Sequence, residues 1–205
     1  MSTTSPLTRP LPATLGDVLL PRLRANALLR AAVLVVAGAA LTALAAQLRF
    51  NVPWTPVPYT GQTGAVLLVG AALGWRLGAL SMLLYVAAGV AGLPVFNGGV
   101  AGVEQLLGIT GGYLVGFVIA AALTGWLAQR GWDRTPVRTL GLMALGTLLI
   151  YAVGVPVLSA VAGLGPWDAF KNGALYFLPW DAAKLFIAAV ALPGAWRLIG
   201  SRPAR

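Results

Sequence analysis

Residues 27–48 are an almost unbroken apolar run, interrupted only by Arg30, Thr42 and Gln47. About 20 such residues are what a helix needs to cross the hydrocarbon core of a bilayer. A chain built around this segment therefore uses lipid as solvent. Comparable runs recur at 112–129, 139–164 and 172–198, with two shorter ones at 62–73 and 79–91. The shorter pair fits tilted or shortened spans within a bundle. A cleavable signal peptide is shorter and starts earlier than 27–48, so this first helix is expected to stay.

Composition supports that reading, because 59% hydrophobic and 9% charged residues cannot supply a polar skin for a water-soluble sphere. The formal net charge of +9 does not indicate nucleic acid, since the basic residues avoid the apolar segments and gather at their ends. The chain has no cysteine and no histidine. That excludes disulfides, thiolate nucleophiles, His-based triads and the usual zinc sites. There is also no G-x-x-x-x-G-K-[ST] loop, so any ATP-driven step belongs to separate subunits. With no nucleophile–base set, the chain is not expected to be an enzyme, and no metal or cofactor is expected.

The connections differ in kind. Pro53, Pro56 and Pro58 forbid a regular helix in the first one. Residues 92–109 are glycine-rich, able to bend sharply and to present backbone amides to a cavity. Pro156 should kink or break the run 139–164. The expected fold is an all-α integral membrane protein of six transmembrane helices with both termini cytoplasmic. Its parts are a cytoplasmic lead (1–25), a six-helix membrane domain (26–200) and a cytoplasmic tail (201–205).

Orientation follows from the basic residues. Arg9, Arg22, Arg24, Arg30, Arg76, Arg130, Arg134, Arg138, Arg197, Arg202 and Arg205 fall on one side, against Arg49 and Lys171 on the other. The first side is cytoplasmic, which places the Pro-rich loop, the Gly-rich loop and the connection before the last helix outside, around one mouth. Gln62, Asn97, Glu104, Gln105, Asp168, Lys171 and Asn172 collect there, among Trp54, Tyr59, Phe96, Trp167 and Tyr176. Tryptophans such as Trp126, Trp132 and Trp196 suit any membrane interface. Asp181 and Lys184 do not, because ionisable residues within a span are costly unless paired or functional. Three residues apart on a helix, they share a face.

The segments VPWTPVPYTGQT (52–63), GWRLGALSMLLYVAAGVAGLPVFNGG (74–99), GITGGYLVGF (108–117) and PWDAAKLF (179–186) together resemble the BioY family. This is the biotin-specific substrate-binding subunit of energy-coupling factor (ECF) transporters. The resemblance implies a six-helix S component in a bacterial plasma membrane. It would bind biotin with high affinity at the extracellular face and deliver it through a shared module of one transmembrane coupling subunit and two ATPase subunits. It also implies contact with the coupling subunit through small residues of the first helix. There Ala32, Ala39, Ala43 and Ala46 form a ridge, with Ala39 and Ala43 at the spacing of close helix approach.

Biotin offers a ureido group, an apolar bicycle and a carboxylate tail. Asp181 can accept from a ureido N–H, Asn97 can donate and accept, and Lys184 can meet either the ureido carbonyl or the carboxylate. Tyr85, Phe96, Tyr176 and Trp167 are candidate walls for the bicycle. Gln62 and Tyr59 are candidates for a lid. The alternative is a stand-alone secondary transporter of biotin or another small carboxylate, with Asp181 or Glu104 as its titrating group.

Overall fold

The structure, a computed structural model, describes residues 14–19 and 26–200. In chain order its elements are α1 (Leu15–Leu19), α2 (Ala27–Gln47), β1 (Arg49–Phe50), β2 (Tyr59–Thr60), α3 (Gln62–Val90), α4 (Val103–Leu107), α5 (Gly111–Ala128), α6 (Pro136–Ala162), α7 (Pro166–Gly173) and α8 (Leu178–Gly200). Short 3-10 turns at Trp132–Arg134 and Leu175–Phe177 lead into α6 and α8. Five of the helical stretches are long and apolar enough to cross a membrane. Leucine, valine, isoleucine and phenylalanine are exposed along them, as a lipid-facing surface requires.

α3 is not one rod. Gly74 adopts φ +82° and ψ 172°, which breaks the helix, and the chain folds back on itself. Gln62 Nε2 consequently donates to Tyr85 Oη at 2.6 Å, although a straight helix would hold these residues about 34 Å apart. The two arms meet so closely that a Cβ on Gly78 would stand 2.8 Å from Gly70 Cα. They correspond to the runs 62–73 and 79–91 of the sequence.

Several expectations change. The fold is not purely helical, because the Pro-rich loop closes as a two-stranded antiparallel pair with Arg49 opposite Thr60 and Phe50 opposite Tyr59. The Gly-rich connection contains α4. The last long helix begins at Leu178 rather than 172, since α7 and the turn at Leu175–Phe177 occupy the preceding residues. α6 continues through Pro156 and ends where Gly163 takes a left-handed conformation at φ +65°; a single missing backbone donor is absorbed within an otherwise long helix. Of the amino-terminal lead, Leu15 is buried in the core and Gly16 faces Leu73. Arg9, Arg22, Arg24, Arg202 and Arg205 lie outside the described residues.

The small-residue ridge of α2 is turned inward from Ala39 onward, while Ala32 is exposed. Ala39 and Ala46 are buried and Ala43 packs on the core. Beside them, a Cβ on Gly38 would stand 2.6 Å from Ser81 Oγ. The close approach that small residues permit is used within the chain, between α2 and the second arm of α3. The opposite face of α2, with Val33, Val36, Leu41 and Leu44, is exposed.

Candidate ligand-binding site

A cavity of about 610 Å³, counted out to its open mouth, lies at the end of the bundle where the three connections converge. The Pro-rich loop contributes Val57, Pro58 and Thr60, and the Gly-rich connection contributes Phe96, Asn97, Gln105 and Thr110. Gly173, Phe177, Asp181 and Lys184 come from the end of α7 and the start of α8. The helices behind complete the wall with Tyr113, Leu114, Phe117 and Tyr151. Its chemistry is that of small-molecule sites: an apolar lining with a few polar groups among it.

The mouth is clasped by aromatic contacts. Tyr59 stacks between Phe50 and Phe177, with centroids at 5.0 and 4.5 Å, and its hydroxyl donates to the Tyr176 carbonyl at 2.5 Å. The Trp180 indole donates to the Thr60 carbonyl at 3.2 Å, and the Thr55 hydroxyl to the Asn172 carbonyl at 2.6 Å. The hairpin is thereby tied to the α7–α8 connection.

At the cavity floor α8 presents Asp181, 4% exposed. Lys184 Nζ lies 2.5 Å from Asp181 Oδ1. The Tyr151 hydroxyl of α6 donates to Asp181 Oδ2, and the Lys184 ammonium also donates to the Thr63 hydroxyl and, at 3.4 Å, to the Thr60 carbonyl. Three elements thus fix one carboxylate and one ammonium that are largely withdrawn from solvent. A smaller recess of about 220 Å³ lies beyond the pair, bounded by Leu67, Met143, Thr147 and Ala188.

Asn97, Asp181, Lys184, Phe96 and Gln62 all line the main cavity. Tyr85 stands behind it, buried, hydrogen-bonded to Gln62 and edge-on to Phe96 at 5.5 Å. Tyr59 and Tyr176 belong to the clasp rather than the lining. Trp167 is 63% exposed and stacked on Phe170, away from the cavity. Sequence reasoning passed over Tyr151, Thr63, Tyr113 and Phe177. A phenol in the middle of the otherwise apolar α6 was the available signal for Tyr151, since a buried hydroxyl needs a partner.

Helices of bilayer length around a pocket with a polar floor define a multi-pass membrane protein. A crystal structure of the S-component for biotin from an ECF-type ABC transporter superposes on it with a TM-score of 0.76, covering 82% of this chain and 92% of that one at 23% identity. The model of the BioY family matches residues 17–201, and the chain belongs to that family. Among its relatives, the probable biotin transporter BioY of Pyrococcus horikoshii is 39% identical over 82% of this chain and 95% of its own length. The biotin transporter BioY of Rhizobium etli is 37% identical over 66% of this chain and 75% of its own length.

Proposed function

We propose that this chain is the high-affinity biotin-binding subunit of an ATP-driven vitamin importer in a bacterial plasma membrane. The observation that carries the reading is the buried Asp181–Lys184 pair at the floor of an otherwise apolar cavity, in a chain whose relatives are biotin transporters. Asp181 accepts a ureido N–H, Asn97 adds a donor and an acceptor, and Phe96, Phe117 and Phe177 wall the bicycle. Lys184 meets an oxygen of the ligand. The Pro-rich hairpin with Gln62 and Tyr59 closes over it.

Six spans follow if the two arms of α3 each cross the bilayer, about 18 and 24 Å of helix that a locally thinned or tilted arrangement accommodates. The cavity mouth faces outward, because Arg76, Arg130, Arg134, Arg138 and Arg197 lie toward the other end while Arg49 and Lys171 lie toward the mouth. α2 presents its exposed face, rather than the buried Ala39 and the half-buried Ala43, to a transmembrane coupling subunit, and two ATPase subunits complete the module.

Uptake of radiolabelled biotin into vesicles tests the mode of transport. Accumulation that requires ATP and the coupling module supports the proposal. Accumulation by this chain alone, driven by a proton or electrical gradient, would replace it with a secondary transporter.

A further inference from the structure

We propose that Gln47, at the cavity end of α2, is a positioning residue for Asn97 and so sets how tightly the cavity holds its ligand; this rests on the biotin reading above. Gln47 Nε2 donates to the Phe96 carbonyl at 3.1 Å and reaches the Val95 carbonyl at 3.5 Å, while remaining tied to its own helix through the Ala43 carbonyl at 3.0 Å. The Phe96 carbonyl also accepts from Gly99 N at 3.1 Å. Both of its lone-pair directions are therefore occupied, which fixes the plane of the peptide joining Phe96 to Asn97.

The neighbouring groups reinforce this. The Phe96 ring is buried edge-on to Tyr85, so the residue before Asn97 cannot turn. Gly98 and Gly99 follow with φ of +77° and +73°, a conformation that leaves the loop no side chains of its own to hold it. Arg49 fills that gap, its guanidinium lying so close over Gly98 that a Cβ there would stand 2.3 Å from Arg49 Cζ. Asn97 is bracketed by two side chains from one short segment, so its backbone enters the cavity wall already fixed. Gln47 is itself exposed, so removing its amide opens no core.

The test is a double-mutant cycle on biotin affinity, measured by calorimetry with the full chain in detergent: wild type, Gln47→Met, Asn97→Ala and the double variant. Thermal melting confirms that each is folded, and Gln47→Ala serves as the second single variant. Loss of one hydrogen bond should weaken biotin binding about fivefold in Gln47→Met. Asn97→Ala should weaken it by about tenfold or more, and the double variant should bind no worse than Asn97→Ala, because Gln47 acts only through Asn97. Unchanged affinity in Gln47→Met, or losses that simply add, would overturn the positioning role while leaving the cavity reading intact. Unchanged affinity in Asn97→Ala would instead overturn the cavity reading, and the proposal with it.

Discussion

Asp181 Oδ1 lies 2.5 Å from Lys184 Nζ, one turn apart on α8, and the carboxylate's other oxygen is taken by the Tyr151 hydroxyl. Both charges are largely out of water, so neither can lose its partner cheaply. Lys184→Ala should lower stability by about 3–5 kcal/mol, because it leaves an uncompensated buried carboxylate. It should also weaken biotin binding by about tenfold or more. In the double variant Asp181→Leu with Lys184→Met, thermal melting should return toward wild type while calorimetry still shows biotin binding weakened by about tenfold or more. A double variant that binds biotin normally would remove the pair from the site.

Tyr151→Phe keeps the ring and deletes one donor to Asp181. The expected result is a three- to tenfold rise in the biotin Kd, on the order of one hydrogen bond to a charged group. The fold should persist, since the ring's packing is unchanged. Equal affinities in the two proteins would mean that Asp181 is held by Lys184 and by the Thr63 hydroxyl, which lies 3.5 Å from Oδ1, alone.

Glycine substitutions should separate packing from propensity. A Cβ on Gly70 would meet Thr124 Oγ1 at 2.3 Å and the Ala121 carbonyl at 2.5 Å, where the first arm of α3 crosses α5. Gly70→Ala should therefore lower the melting temperature markedly, an overpacking cost of about 1–3 kcal/mol. A Cβ on Gly194 in α8 would meet nothing within 4 Å, so Gly194→Ala should be neutral or stabilising by up to about 1 kcal/mol.

Much of this arrangement was legible from residue types. Apolar runs gave the long helices, and the Pro- and Gly-rich connections were expected to share a mouth, as Pro58, Asn97 and Gly173 do around one cavity. Asp181 and Lys184 stood out because charge inside a span needs a reason. The inward turn of α2 was not legible, since alanine covers most of that helix and its spacing carries no direction. The hairpin at Gly74 was legible only as two short apolar runs, because a glycine's φ is set by the packing around it. Trp167 and Phe177 illustrate the same limit: both are aromatic residues near the mouth, and only tertiary contacts put one outside and the other in the wall.

Asp133 supplies a pH test at the opposite end of the bundle. It is 1% exposed in the turn before α6, with Oδ2 accepting from the Trp196 indole at 2.5 Å and Oδ1 buried with no hydrogen-bond partner among the described residues. Burial pushes its carboxyl above the ordinary 3.8, outweighing the Trp196 hydrogen bond. The unfolded chain then releases this proton at lower pH than the folded one, so this group's contribution to stability falls as pH rises from 3.8 through the raised value. Asp133→Asn lacks that term. Its melting temperature should gain on wild type as the pH is raised through this window, and a difference that does not change with pH would contradict the assignment.

The most direct test of the account is calorimetric titration of biotin into the detergent-purified chain, produced without biotin, with thiamine as comparator. A nanomolar Kd corresponds to about −12 kcal/mol, or roughly −0.8 per non-hydrogen atom of biotin, inside the ceiling of about −1.5 for small ligands. The expected result is one-to-one binding of that order, no response to thiamine, and at least tenfold loss in Asp181→Asn. A folded chain that gives no biotin binding would contradict it.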